Sequence, residues 1–322
     1  MTRVLVTGAA GFIGSHLVEA LSAQGDEIVG IDNFDPFYPR AMKERNLIEV
    51  GKPRGFSFRE QDMLDVPALR ALLTPDTVIV HLAAKAGVRP SLADPVGYAR
   101  ANVTGTAAVL EAARQADVSR IVFGSSSSVY GDSTPVPFRE DAVATEPMSP
   151  YAATKRAGEL LLGSVAPIYG FRAASLRFFT VYGPRQRPDL AIHAFARRMI
   201  AGEVITLFGD GTQARDYTYC DDIVAGVTAA IDWTATGPIG LEPFNLGGNR
   251  SVPTGAMVAE LAQALGIEPK LQWGPMQPGD VQRTAADLTR SGATLGYAPV
   301  TPFPEGIRRF VAWFREAYGR SD

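Results

Sequence analysis

One cysteine, Cys220, stands among 322 residues, so no intramolecular disulfide forms and a reducing cytoplasm is the expected setting. It follows Tyr217-Thr218-Tyr219, where a buried structural thiol is expected. An excess of either charge is also lacking: 31 Lys and Arg face 34 Asp and Glu, for a net charge of −3. With no basic block in the chain, nucleic acid is excluded as the main partner. Long apolar runs are missing too, and His16 and Glu19 interrupt the one nearest the N-terminus. Neither a signal peptide nor a membrane span is expected, which implies a soluble, intracellular protein. What is present is a chain 46% apolar, long enough to bury a substantial core.

Short apolar runs alternate with longer helical patterns through the first half. Residues 4–7, 27–31, 78–81, 121–123 and 173–177 read as strands buried on both faces. Amphipathic stretches near 13–24, 65–73, 97–116 and 151–166 separate them. This repetition predicts an α/β fold with a doubly wound parallel sheet of the Rossmann type. The second half is less regular, with helices expected at 190–201, 221–232, 254–265 and 303–317 and strands at 204–208 and 243–246. Pro and Gly at 183–188, 236–240 and 274–279 mark loops. The expected division is a Rossmann domain over 1–180 and a smaller mixed α/β region over 181–322, with about 221–250 returning to the first.

Gly8-Ala9-Ala10-Gly11-Phe12-Ile13-Gly14 follows the first strand and opens the first helix. Gly8 permits the tight turn, Gly11 lets backbone approach a pyrophosphate, and Gly14 lets the helix pack on the sheet. Asp32 ends the second strand, where a carboxylate can accept both adenosine ribose hydroxyls and repel a 2′-phosphate, so NAD is expected rather than NADP. Small Ala83 and Ala84 after the fourth strand would let backbone lie against the cofactor, whereas His81 reads as a satisfied strand-end histidine.

Tyr151-Ala152-Ala153-Thr154-Lys155 places a phenol and an ammonium four residues apart, on one helix face. A tyrosine near its usual pKa of about 10 is a poor base at neutrality. The Lys155 charge is expected to lower it, leaving Tyr151 as general base. Ser125-Ser126-Ser127-Ser128-Val129-Tyr130-Gly131 follows the fifth strand.

In this order the motifs resemble nucleotide-sugar epimerases of the extended short-chain dehydrogenase/reductase type, and the resemblance spans nearly the whole chain. It implies that Ser126 joins Tyr151 and Lys155 in catalysis. It also implies that Phe12, Ile13, Asn33, Asp62, Met63 and Asn102 belong to the NAD site, with Asn102 supporting the central helix and the active site, although a turn-forming role for Asp62 is nearly as good. Arg215, in Arg215-Asp216-Tyr217, and Asp280, in Pro278-Gly279-Asp280-Val281, match residues that contact the diphosphate and the uridine. A salt bridge to Asp216 or Asp221 is the plainer role for Arg215.

Gly87-Val88-Arg89, Phe178-Phe179-Thr180-Val181-Tyr182-Gly183-Pro184 and Arg187-Pro188-Asp189 resemble the UDP-glucuronate 4-epimerases most nearly. Thr180, Ser127 and Ser128 are then expected to meet the C6 carboxylate, and Arg187 either that carboxylate or the diphosphate. Arg89 is either a substrate contact or a solvated loop residue. Ser128 stands where decarboxylases and dehydratases of this kind carry an acid, which favours retention of the carboxylate. The resemblance thus implies NAD-dependent C4 inversion between UDP-glucuronate and UDP-galacturonate, without a metal and in a homodimer. Epimerases of UDP-glucose or UDP-N-acetylglucosamine, a decarboxylase and a non-catalytic NAD-binding protein are the alternatives.

Overall fold

Val4 and Val6 bury their side chains in one apolar core and Leu5 buries its own in another, because successive strand residues face opposite sides of a sheet. Burying each stabilises the fold by about 2 kcal/mol. The computed structural model describes residues 1–144, 146–275 and 282–319. Its first half runs β1 (Arg3–Thr7), α1 (Phe12–Ala23), β2 (Glu27–Asp32), α2 (Arg40–Val50), β3 (Phe56–Glu60), α3 (Val66–Arg70), β4 (Val78–His81), α4 (Val88–Ala93), α5 (Pro95–Tyr98), α6 (Gly105–Gln115) and β5 (Arg120–Ser126). A π-helical turn at Ala99–Thr104 joins α5 to α6, and a 3₁₀ turn at Ser127–Tyr130 follows β5.

The chain continues through α7 (Pro150–Tyr169), β6 (Arg172–Phe178), β7 (Thr180–Tyr182), α8 (Ala191–Ile200), β8 (Val204–Phe208), β9 (Ala214–Tyr219), α9 (Cys220–Trp233) and β10 (Gly240–Leu246). It then forms β11 (Ser251–Pro253), α10 (Thr254–Leu265), β12 (Lys270–Gly274), α11 (Thr289–Leu295) and α12 (Phe303–Tyr318). A seven-stranded parallel sheet has the order β10-β6-β5-β4-β1-β2-β3. The order reverses between β1 and β4, and the crevice beyond the strand ends at such a point is where α/β folds hold ligands.

Two small sheets complete the molecule: β9 lies between β7 and β11, and β12 runs parallel to β8. Helix α9 packs on α1. Several elements depart from the sequence reading, three of them for plain physical reasons. The buried residues of α2 are Lys43 and Asn46, so it has no apolar stripe to read. Strand β12 is exposed along most of its length, so its short alternation of Lys, Leu, Gln and Trp marks no buried face. Strand β9 coincides with the Arg215 motif, whose polar residues mask a strand signal. Cys220 is buried, and burial pushes its thiol well above the usual range.

Candidate active site

The turn after β1 is tight because Gly8 has a φ of +74°. A side chain there would come within 2.9 Å of the Ala83 amide nitrogen, so the ends of β1 and β4 touch only because residue 8 is glycine. A Cβ on Gly14 would lie 2.1 Å from the Gly8 carbonyl oxygen. No side chain caps α1, so the first amides of the helix are left to a ligand in front of them.

These elements open on a cavity of about 470 Å³, a size suited to a cofactor or small ligand. Gly8, Gly11, Phe12, Ile13, Gly14, Asp32, Asn33, Met63, Ala83 and Ala84 line one part of it. Ser126, Ser127, Ser128, Tyr151, Lys155, Thr180, Arg187 and Arg215 line the rest. A glycine cradle, an uncapped helix and an acid at the end of β2 fit a dinucleotide with a free ribose diol.

Three sequence-assigned residues fall outside this lining. Asn102 does not line the cavity. The wide π turn points its side chain inward, where its Oδ1 accepts from the Lys85 amide (2.8 Å) and its Nδ2 donates to the Lys85 carbonyl (2.9 Å) and Thr154 Oγ1 (2.9 Å). It braces the segment after β4 against α7. Asp62 closes a turn by accepting from the Leu64 amide (2.9 Å) and takes a hydrogen bond from Asn33 (3.2 Å), also outside the cavity lining. Arg89 is exposed, with its guanidinium 5.0 Å from the Phe208 ring, again outside the lining. Asp280 lies outside the described residues.

Helix α7 begins at Ser149, whose hydroxyl accepts from the Ala152 amide (3.1 Å), and Pro150 fixes the first turn. This start sets Tyr151 at the cavity wall, edge-on to Tyr98 at 6.4 Å. Lys155 reaches across to donate to the Gly124 carbonyl at 2.7 Å.

The electrostatics differ from expectation. Burial raises the Tyr151 phenol above its usual value, opposed by a hydrogen bond with Ser126 and by the charge of Arg187. Lys155 is itself pushed down to about 7, by burial first and by Arg187 second. The lowering expected from Lys155 is not what acts on Tyr151: Ser126 and Arg187 oppose the loss of solvent, and the loss of solvent prevails. Arg187 is held by Asp189 in a two-bond clasp of 2.9 and 2.8 Å.

Sequence reasoning missed several neighbours. Lys43 is buried and pairs with Asp32 at 3.1 Å, while the Phe34 amide donates to the same oxygen at 2.8 Å. Tyr38, Gln61, Leu190 and Thr284 also line the cavity. Lys85 lines it as well and pairs with Asp94 at 2.8 Å. Asp216 accepts backbone hydrogen bonds from Gly248 (2.6 Å) and Ala286 (2.8 Å), which fixes the strand that presents Arg215. Burial raises the Asp216 carboxyl to about 6. Tyr38, Lys43, Gln61, Leu190 and Thr284 carried no local signal, because the fold brings them to the cavity from separate elements.

Residues 4–247 match the NAD dependent epimerase/dehydratase family. A UDP-glucuronate 4-epimerase of Thermodesulfobacterium geofontis is 38% identical over 319 residues, covering 98% of this chain and 97% of the relative. UDP-glucuronate 4-epimerase 4 of Arabidopsis thaliana is 40% identical over 333 residues, covering 98% of this chain and 76% of its own. The crystal structure of UDP-glucuronic acid 4-epimerase from Bacillus cereus, in complex with UDP-glucuronic acid and NAD, superposes with a TM-score of 0.91. It is 35% identical and covers 98% of this chain and 100% of its own. By sequence, fold and cavity, the chain belongs to the NAD dependent epimerase/dehydratase family.

Proposed function

We propose that this chain interconverts UDP-glucuronate and UDP-galacturonate by inverting C4, with NAD as its cofactor. The carrying observation is that one cavity joins Tyr151, Lys155 and Ser126 to a hydroxyl wall of Ser127, Ser128 and Thr180. NAD, held by the glycine turn and Asp32, would supply the reversible oxidation of C4 and a positive charge that favours the phenolate. Ser126 holds the C4 oxygen, and Tyr151 takes its proton and later returns it. Arg187 and the hydrogen bond with Ser126 favour the phenolate that burial disfavours. Phe178, Phe179 and Leu190 give the cavity an apolar wall along which the 4-keto sugar turns over. Ser127, Ser128 and Thr180 hydrogen-bond the C6 carboxylate, while Arg215 and Arg187 offer forked donors to the diphosphate or carboxylate.

A 4-keto glucuronate is a β-keto acid and tends to lose carbon dioxide. Residue 128 is serine, so no acid at that place assists decarboxylation or dehydration. Kinetics with UDP-glucuronate, UDP-glucose and UDP-N-acetylglucosamine test the reading. The highest kcat/KM is expected for UDP-glucuronate, and exclusive turnover of a neutral sugar would overturn it.

We also place the enzyme in the cytoplasm as a homodimer. The lone cysteine suits a reducing compartment, and among the described residues no helix is long and apolar enough to cross a membrane. Leu92, Val96, Leu160 and Ile168 leave large apolar side chains exposed on α4, α5 and α7, which a second copy would cover. Light scattering of the purified protein is expected to give twice the chain mass, and a monomer contradicts the dimer.

A further inference from the structure

Glu159 lies on α7 one turn beyond Lys155 and two turns beyond Tyr151, is only 2% exposed, and has no part in the proton transfer above. Its Oε1 accepts from Ser125 Oγ (2.8 Å), Ser175 Oγ (3.0 Å) and Arg177 Nε (2.9 Å). Its Oε2 accepts from Arg177 Nη2 (3.0 Å) and Arg156 Nη1 (2.9 Å). A buried ion pair of this kind is a poor way to gain stability, because two apolar side chains of similar volume often do as well. Its placement is more telling.

Three successive residues of β5 meet three residues of α7 spaced by four. The Gly124 carbonyl accepts from Lys155, the Ser125 hydroxyl donates to Glu159, and Ser126 lines the cavity together with Tyr151. Arg177 on β6 stands beside Ser125 in the sheet register and grips the same carboxylate. The carboxylate thus locks two strand ends to the helix that carries the phenol and the ammonium.

We infer that Glu159 is a positioning residue for the epimerisation: its carboxylate pins Ser125, and so sets Ser126 and Lys155 in place around the Tyr151 phenol. The inference rests on the proposed roles of those three residues. The negative charge of Glu159 also opposes loss of the Lys155 proton, against burial and the positive charge of Arg187. The other ionisable groups around Lys155 are Tyr151 on its own helix and His81 on β4, which burial keeps neutral.

The test compares Glu159→Gln with the wild type. It follows kcat and KM for UDP-glucuronate against pH, NAD affinity by calorimetry, and the Lys155 Nζ titration by ¹⁵N-lysine NMR. The variant is expected to keep NAD affinity and KM within about twofold and to lose about tenfold or more in kcat. The alkaline limb of kcat and the Lys155 midpoint are both expected to fall by about half a pH unit or more. A folded variant with unchanged kcat and an unmoved alkaline limb overturns the inference. If Glu159→Gln does not fold, Ser125→Ala decides, because it cuts the link to β5 and leaves the Arg177 pair intact. It is expected to lower kcat about threefold or more without moving the alkaline limb, and an unchanged kcat again overturns the inference. A wild-type enzyme that turns over no UDP-sugar overturns the reaction reading instead, while the lysine titration still judges Glu159.

Discussion

At the phenol of Tyr151, burial and charge pull in opposite directions, and the side chain is useful only because charge is supplied locally. Tyr151→Phe removes the proton acceptor without disturbing the cavity. It should cut turnover by about a thousandfold while leaving NAD affinity unchanged by calorimetry. Residual turnover near the wild-type rate would show that another group is the base. Thr180 tests the carboxylate wall: Thr180→Ala is expected to raise KM for UDP-glucuronate about tenfold and to leave UDP-glucose turnover within about twofold. Equal effects on the two sugars would remove Thr180 from carboxylate recognition. The glycines, Tyr151, Lys155 and the serines were legible because each signal is confined to a few consecutive residues. Lys43 was not, since its pairing with Asp32 joins a polar helix to a strand end through a turn that no spacing rule describes. Asn102 was legible as a residue, but its inward direction depends on the π turn.

Among the elements, the turn from β1 into α1 has the least room for change. A methyl group on Gly14 would collide with the Gly8 carbonyl, so Gly14→Ala must push α1 away from the sheet. Overpacking of this kind costs about 1–3 kcal/mol, and the same shift misaligns the amides facing the pyrophosphate. NAD affinity should fall about tenfold or more, and a variant that binds NAD as the wild type does would show that the close approach is dispensable. The sheet was readable because its central strands are apolar on both faces, as in β1 and β4. Strand β12 and helix α2 escaped notice because one is exposed and the other buries polar residues. The loop that carries Arg187 is held at Arg185, which pairs with Glu19 on α1 and Glu49 on α2. Those partners lie more than a hundred residues earlier in the chain, beyond any local pattern.

For the whole molecule, two buried histidines tie stability to pH. Burial lowers His81 to about 3 and His193 to about 4, so both stay neutral in the folded chain where the unfolded chain is already binding protons. Their contribution is fully present above the unfolded value of about 6.5 and is lost as pH falls toward the folded values. From about pH 7 to about pH 5, each should remove about 2 kcal/mol of unfolding free energy. Urea titrations at the two pH values measure this loss less about 1 kcal/mol regained by the Asp216 carboxyl, which burial raises to about 6, and a midpoint that does not fall contradicts it. Fold and cavity together point to one reaction, C4 inversion of UDP-glucuronate with its carboxylate retained. Proton NMR of that reaction in deuterated water tests it most directly. The expected product is UDP-galacturonate with the original hydrogen still on C4. Deuterium at C4, or a UDP-pentose formed by loss of carbon dioxide, would contradict it.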